Sequence, residues 1–243
     1  MGIEDRDDSK YSILRLGDSK QIVETCAIDS TPILRRGPIV LYEFEGCPFC
    51  RKVREAVSML SLEVEFRPCP QGSSFRREIK EEYGSSSTFP FMRDPNTGVE
   101  MFESDDIIRY LYRTYGVGVP PASLQKGILN TLTAGFGLVF RVNRGNKRKN
   151  SDPPKNPLIL WSCEGPSFTK LVKEELCELQ IAHVQISCPR GSPQRQRLFE
   201  KTGRFQIPYL EDPNNGVSLF ESSAIIEYLN AMYAVEEPFI KYM

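Results

Sequence analysis

One histidine, His183, and one tryptophan, Trp161, occur in 243 residues. With a single imidazole, a zinc centre would have to be built from cysteines, and no second Cys-x-x-Cys is present to complete one. No histidine lies near the one Cys-x-x-Cys to serve as its base. Charge of one sign is also lacking: the formal net charge is −1, which gives no global electrostatic case for binding nucleic acid or a membrane surface. There is no apolar run of about twenty residues to cross a bilayer and no glycine-rich phosphate loop. The start is acidic (Glu4, Asp5, Asp7, Asp8), so neither a signal peptide nor a basic transit peptide is expected there. The seven cysteines are odd in number and irregularly spaced. That excludes a secreted disulfide framework and fits a reducing compartment with one reactive pair.

What is present centres on Glu45-Gly46-Cys47-Pro48-Phe49-Cys50-Arg51-Lys52-Val53. The preceding run from Pro38 to Phe44 is apolar and β-branched and predicts a buried strand. Val53, Ala56, Val57 and Leu60 then recur at helical spacing. The two cysteines therefore fall where a strand turns into a helix. Unpaired N–H groups and the positive end of the helix dipole favour a thiolate at Cys47, which is expected to be exposed at a loop. Cys50 is placed to attack a disulfide formed on Cys47, and Pro48 suits the first helical turn. With no base at hand, thiolate formation rests on the helix terminus and on Arg51. Half a zinc site and a pair of inert thiols are the other readings of the motif.

Along the chain, residues 1–36 form an extension with one expected strand, Tyr11 to Leu16. Residues 37–118 read as strand, helix, strand, helix, hairpin, helix. Leu62 to Arg67 is the second strand and Phe75 to Tyr83 the second helix. Asp94-Pro95-Asn96-Thr97-Gly98 is a tight turn before the strand Val99 to Phe102, and Ser104 is the expected N-cap of the last helix. This pattern returns over residues 157–243. An offset of 119 superposes Leu41-Tyr42 on Leu160-Trp161, Gly46 on Gly165, Phe49 on Phe168, Val53 on Val172 and Cys69-Pro70 on Cys188-Pro189. With one residue deleted, Pro90 meets Pro208, Asp94-Pro95-Asn96 meets Asp212-Pro213-Asn214, and Phe102-Glu103-Ser104 meets Phe220-Glu221-Ser222. The chain is an internal duplication of one α/β unit. The second copy keeps the scaffold and loses the thiols: Pro166 stands for Cys47 and Thr169 for Cys50. Cys163 falls at the end of a strand, as a small buried residue.

Between the copies, residues 119–156 carry an uncharged run from Gly127 to Phe140 and a basic stretch of Arg141, Arg144, Lys147, Arg148 and Lys149. Fourteen uncharged residues are too few to span a bilayer. Two readings stand: a helix packed between the domains with Ile128, Leu129, Leu132 and Phe136 buried, or an interfacial anchor over residues 123–149 making peripheral membrane contact.

Each repeat resembles the thioredoxin-like N-terminal domain of glutathione S-transferases. The first is especially similar to glutaredoxins and to the prostaglandin E synthase type 2 group, which share the Glu-x-Cys-Pro-Phe-Cys-Arg-Lys-Val stretch. The duplicated layout resembles the tandem thioredoxin-like proteins of plants and algae, generally chloroplast-targeted. The resemblance implies an α/β fold of two tandem thioredoxin-like domains, each a four-stranded mixed sheet flanked by helices. It implies Cys47 as nucleophile and Cys50 as resolving thiol, with glutathione as cofactor and no metal. Pro90 matches the family's cis-proline, with Phe89 presenting backbone groups to the cysteinyl part of glutathione, and Pro208, in the same inherited loop, is expected to be cis as well. Glu103-Ser104 matches the pair holding the γ-glutamyl end, and on its own also reads as a plain helix cap. A second thioredoxin-like unit stands where transferases carry an all-helical domain, which argues against conjugation of bulky electrophiles.

The leading expectation is a glutathione-linked thiol–disulfide oxidoreductase acting on protein or glutathione disulfides, without nucleic acid, placed by resemblance in the chloroplast. Its rival from another class is a non-catalytic adaptor or assembly factor with duplicated binding surfaces. Isomerisation of a lipid peroxide rests on analogy alone.

Overall fold

The structure is a computed structural model. It describes the backbone of three N-terminal strands and then residues 36–116, 118–125 and 144–235. The first three strands, β1 (Ile3–Asp5), β2 (Tyr11–Leu16) and β3 (Lys20–Thr25), form a separate antiparallel sheet in the order β1-β2-β3. The strand expected at Tyr11 to Leu16 is β2. The uncharged run from Gly127 to Phe140, and with it the four apolar positions named for burial, lies outside the described residues.

The first repeat runs β4 (Ile39–Glu43), α1 (Pro48–Met59), β5 (Glu63–Pro68), α2 (Ser74–Tyr83), β6 (Phe91–Asp94), β7 (Val99–Phe102) and α3 (Ser104–Tyr115). A short α4 (Ala122–Gln125) follows. The second repeat mirrors this order: β8 (Leu158–Ser162), α5 (Ser167–Glu178), β9 (His183–Ser187), α6 (Pro193–Thr202), β10 (Tyr209–Asp212), β11 (Val217–Phe220) and α7 (Ser222–Tyr233). Both repeats have the thioredoxin-like arrangement, a parallel β-α-β pair followed by an antiparallel hairpin.

Apolar side chains on the two faces of each sheet fill separate cores. In the first repeat, Leu41, Val64, Phe66 and Met92 pack under α1 and α3. Tyr42, Phe91 and Ile79 of α2 fill the opposite face. The second repeat repeats both layers, with Leu160, Val172, Leu210 and Ile225 on one side and Trp161, Leu198 and Tyr209 on the other. Burying each such side chain contributes about 1.5–3 kcal/mol.

The hairpin turns are clamped from the last helix of each repeat. Asp94 accepts from the Asn96 amide at 2.8 Å and from the Tyr110 and Tyr115 hydroxyls of α3. Asp212 repeats this with Asn214, Tyr228 and Tyr233. Burial alone would raise both carboxyls, but the tyrosine and asparagine donors outweigh it and hold them below the usual range.

The two sheets are one. Their order is β11-β10-β8-β9-β5-β4-β6-β7, joined by an antiparallel β5–β9 pair. Glu65 lies opposite Val184, its own counterpart at the repeat offset, while Phe66 meets His183 and Val64 meets Gln185. A pseudo-two-fold axis therefore passes through the Glu65–Val184 pair, normal to the sheet, and brings α1 and α5 together on one face.

At this seam the His183 ring stacks on Phe66 with centroids 5.5 Å apart, and its Nδ1 hydrogen-bonds the Ile181 carbonyl at 3.2 Å. Burial pushes the imidazole down to about 4. Since an unfolded histidine titrates near about 6.5, this group's contribution to stability is full above that value. It is lost as the pH falls from there through 4, where the unfolded chain takes up a proton that the folded one refuses. As the chain holds one histidine, its ring proton resonances are unambiguous. They are expected to show no titration between about pH 6 and 8; a midpoint near 6.5 would mean that the seam is open to water.

Candidate functional site

The end of β4, the start of β6 and the end of β7 lie at one edge of the sheet, because Tyr42 pairs with Phe91 and Phe91 with Phe102. The loop from Phe44 to Gly46, the Phe89–Pro90 bond and the Glu103–Ser104 pair consequently converge there. The Phe89–Pro90 bond is cis, as is Ile207–Pro208 in the other repeat, matching the expectation for both copies.

Cys47 is the N-cap of α1, in an extended conformation, with Pro48 opening the helix. Its Sγ accepts the Cys50 N–H at 3.2 Å and lies 3.8 Å from the Phe89 carbonyl. Hydrogen bonds from Cys50 lower the Cys47 thiol below its ordinary value, against the opposing effect of burial. Burial pushes the Cys50 thiol well above its ordinary value, and the adjacent Cys47 adds to this. The two thiols are thus driven apart, one below its ordinary value and the other above it. Around them Phe44 meets Phe89 edge-on at 6.5 Å. The Arg76 guanidinium lies 5.0 and 4.8 Å from those two rings.

Three expectations are corrected. Cys47 was expected to be exposed at a loop, but it is only 5 % exposed. The linker itself crowds the neighbouring Gly46. Asn146 presses on Gly46 so closely that a Cβ there would sit 2.0 Å from its side-chain oxygen, and the Asn146 carbonyl accepts the Gln71 N–H at 2.7 Å. Phe49, within the motif, is by contrast 49 % exposed. Next, Arg51 does not support the thiolate: it pairs with Glu55 at 3.1 Å, and the cation that favours the Cys47 anion is Arg54. Finally, the cap of α3 is Glu103 at φ 68°, not Ser104, which is the first helical residue and buried. Glu103 itself is exposed, and Glu221 repeats its backbone conformation at φ 68°.

Beneath the site lies a charged cluster that sequence reasoning missed. Arg54, 1 % exposed, pairs with Glu43, with Glu45 at 3.3 Å and with Glu164 of the other repeat at 3.2 Å. Lys173 pairs with the same Glu164 at 2.8 Å. The Glu164 N–H donates to Ser58 Oγ at 2.8 Å. Burial pushes the Glu45 carboxyl up to about 7 despite Arg54 and Lys173. A signal for this cluster existed: Arg54 and Lys173 are equivalent positions of the two repeats, as are Glu45 and Glu164. A charge pair retained with the scaffold after the thiols are lost points to a shared seam.

Part of the basic stretch is engaged as well. Arg144 and Lys149 pair with buried Glu175 and Glu178, so these two cations serve the fold. Among the described residues no helix is long and apolar enough to cross a membrane, and no cluster of side chains suits a metal ion.

No curated protein matches the chain. Among solved structures, a Bombyx mori glutathione transferase, BmGSTD1, is 27% identical over 34% of this chain and 38% of its own, with a TM-score of 0.30. A second structure, of BmGSTD1 in complex with GTT, is 23% identical over 37% and 44%, with a TM-score of 0.27. The match thus spans less than half of the Bombyx mori proteins. Leishmania TDR1, described as a unique trimeric glutathione transferase, is 13% identical over 83% of this chain and 68% of its own, with a TM-score of 0.30. The family described as Glutathione S-transferase, N-terminal domain, matches residues 41–121 and again residues 160–238. With most of its length matched in this way, the chain belongs to the glutathione S-transferase N-terminal domain family and carries that domain twice.

Proposed function

We propose that the chain is a glutathione-linked thiol–disulfide oxidoreductase in which Cys47 is the nucleophile. The observation that carries this reading is the Cys47 sulfur seated on the Cys50 N–H at the head of α1, beside the Phe89 carbonyl. The Cys47 thiolate attacks one sulfur of a protein or glutathione disulfide. An S–S bond forms, the old one breaks, and the departing sulfur leaves as thiolate. Cys50 then attacks Cys47 Sγ, giving its proton to the second leaving thiolate, and two glutathione molecules reduce the resulting Cys47–Cys50 disulfide. Alternatively a glutathione thiolate resolves the mixed disulfide directly. In this reading glutathione lies along Phe89 and Pro90. Its ammonium meets Glu103, and its γ-glutamyl carboxylate meets Ser104 and the first N–H groups of α3. A reducing compartment, by resemblance the chloroplast, suits this chemistry.

The low exposure of Cys47 favours the second reading, an adaptor with duplicated surfaces. Alkylation mapped by peptide against pH separates the two. Cys47 is expected to react first, below the pH at which an ordinary thiol (about 8.5) reacts. Cys69, Cys177 and Cys188 should lag, since burial raises all three. A Cys47 that titrates as an ordinary thiol, with no turnover of a glutathione mixed disulfide, would leave the adaptor.

A further inference from the structure

The second repeat keeps a helix N-terminus where the first holds its thiolate. In the first, the positive end of α1 is met by Cys47 Sγ. In the second, Pro166 occupies that position and no side chain caps α5. The unpaired N–H groups of the first turn therefore call for an anion from elsewhere.

Three further observations point to one. A cavity of about 60 Å³ opens beside this turn, lined by Pro166, Thr169, Glu164, Lys170, Lys173 and Arg51. Thr169, the counterpart of Cys50, is 1 % exposed, and its Oγ1 has no hydrogen-bond partner among the described residues. A buried hydroxyl left so costs about 1–3 kcal/mol unless a ligand meets it. The lining also gathers cations from both repeats. Arg51 of α1 and Lys170 of α5 are equivalent positions brought to one cavity by the pseudo-two-fold axis. Lys173 adds a third, and Glu164 is the one carboxylate, already paired with Arg54 and Lys173. Arg51 also pairs with Glu55, and with that carboxylate counted the surroundings stay net positive, which suits an oxyanion.

We propose that this cavity binds a phosphate dianion, either free or as the end group of a monoester. The phosphate would lie between the first turn of α5 and Arg51 of the other repeat. The space is several times the roughly 10–15 Å³ that one water needs on this measure, so it admits a tetrahedral oxyanion. Thr169 Oγ1 and the N–H groups of the turn donate to its oxygens. The site does not depend on Cys47 acting as a nucleophile.

Calorimetric titration of the full chain with inorganic phosphate tests this, with phosphoserine and acetate as further arms. Saturable one-to-one binding of phosphate is expected. Thr169→Val, which preserves shape, and Lys170→Glu should each weaken it by about tenfold. Arg51→Gln, a half-exposed position on the other repeat, should weaken it severalfold, and Lys147→Glu in the basic linker should change nothing. Phosphoserine binding as tightly as phosphate assigns the site to monoesters, and a clear preference for phosphate assigns it to the free ion. Absence of saturation at about 10 mM phosphate would overturn the proposal. So would acetate binding equally well, or phosphate binding indifferent to Thr169, Lys170 and Arg51.

Discussion

Arg54→Met is expected to destabilise the protein by about 3–5 kcal/mol, read as a fall in the urea midpoint with the slope unchanged. Arg54 is buried among Glu43, Glu45 and Glu164, and methionine fills its volume without its charge. Three carboxylates then share the single cation Lys173, which reaches Glu164. Buried charges without partners dominate the cost, because no water replaces the lost donors. Arg54→Lys should fall between, since one ammonium cannot serve three carboxylates from a single position. Adding Glu164→Gln to Arg54→Met should recover part of the loss, a non-additivity that a double-mutant cycle reads directly. A loss under about 1 kcal/mol for Arg54→Met would mean that the cluster is hydrated and that the seam is not closed around it.

Cys47→Ser is expected to reduce turnover of a glutathione mixed disulfide to the uncatalysed rate, while Cys50→Ser should accumulate a stable adduct on Cys47. The two outcomes differ because the residues play different parts. Serine at 47 has no accessible anion near neutrality and cannot form the mixed disulfide. Serine at 50 keeps the backbone N–H and a hydroxyl, so the donors to Cys47 Sγ persist and only the resolving step is lost. Cys50→Ala removes the side-chain donor, the leading cause of the lowered Cys47 thiol. It should therefore move the onset of Cys47 alkylation to higher pH. Intact mass under limiting glutathione identifies the adduct. Residual turnover in Cys47→Ser would exclude Cys47 as the nucleophile.

Much of this arrangement was legible in the sequence, and the reasons are local. The strand before the thiols, the helix after them and the two hairpin turns each follow from residue spacing. The family resemblance implied a cis-proline at Pro90, and the repeat offset carried it onto Pro208. What escaped depends on contacts between segments far apart in the chain. Arg54 sits in an otherwise ordinary amphipathic helix, where an arginine reads as solvent-facing. It is buried where Glu43, Glu45 and, from the other repeat, Glu164 close around it. Likewise, the tyrosines that clamp Asp94 and Asp212 read as core positions of α3 and α7, and their hydroxyls find those carboxylates only when the helix folds back on the turn. Gly46, next to Cys47, is covered by Asn146 of the linker, far along the chain. The joining of β5 to β9 left a faint mark, an edge strand alternating Glu63, Glu65 and Arg67 with Val64 and Phe66. Alternation shows which face is buried; it does not show which strand lies alongside.

The pairing of β5 with β9 about Glu65 and Val184 makes the chain a dimer contained in one polypeptide. Two separate copies of such a unit would meet through the same edges by mass action and part on dilution. Here the covalent connection supplies the second edge at an effective concentration on the order of millimolar, so cohesion is the same in a crowded compartment and in a dilute assay. The outward edges that remain are β7 and β11, each only four residues long. Strands so short are poor templates for further addition.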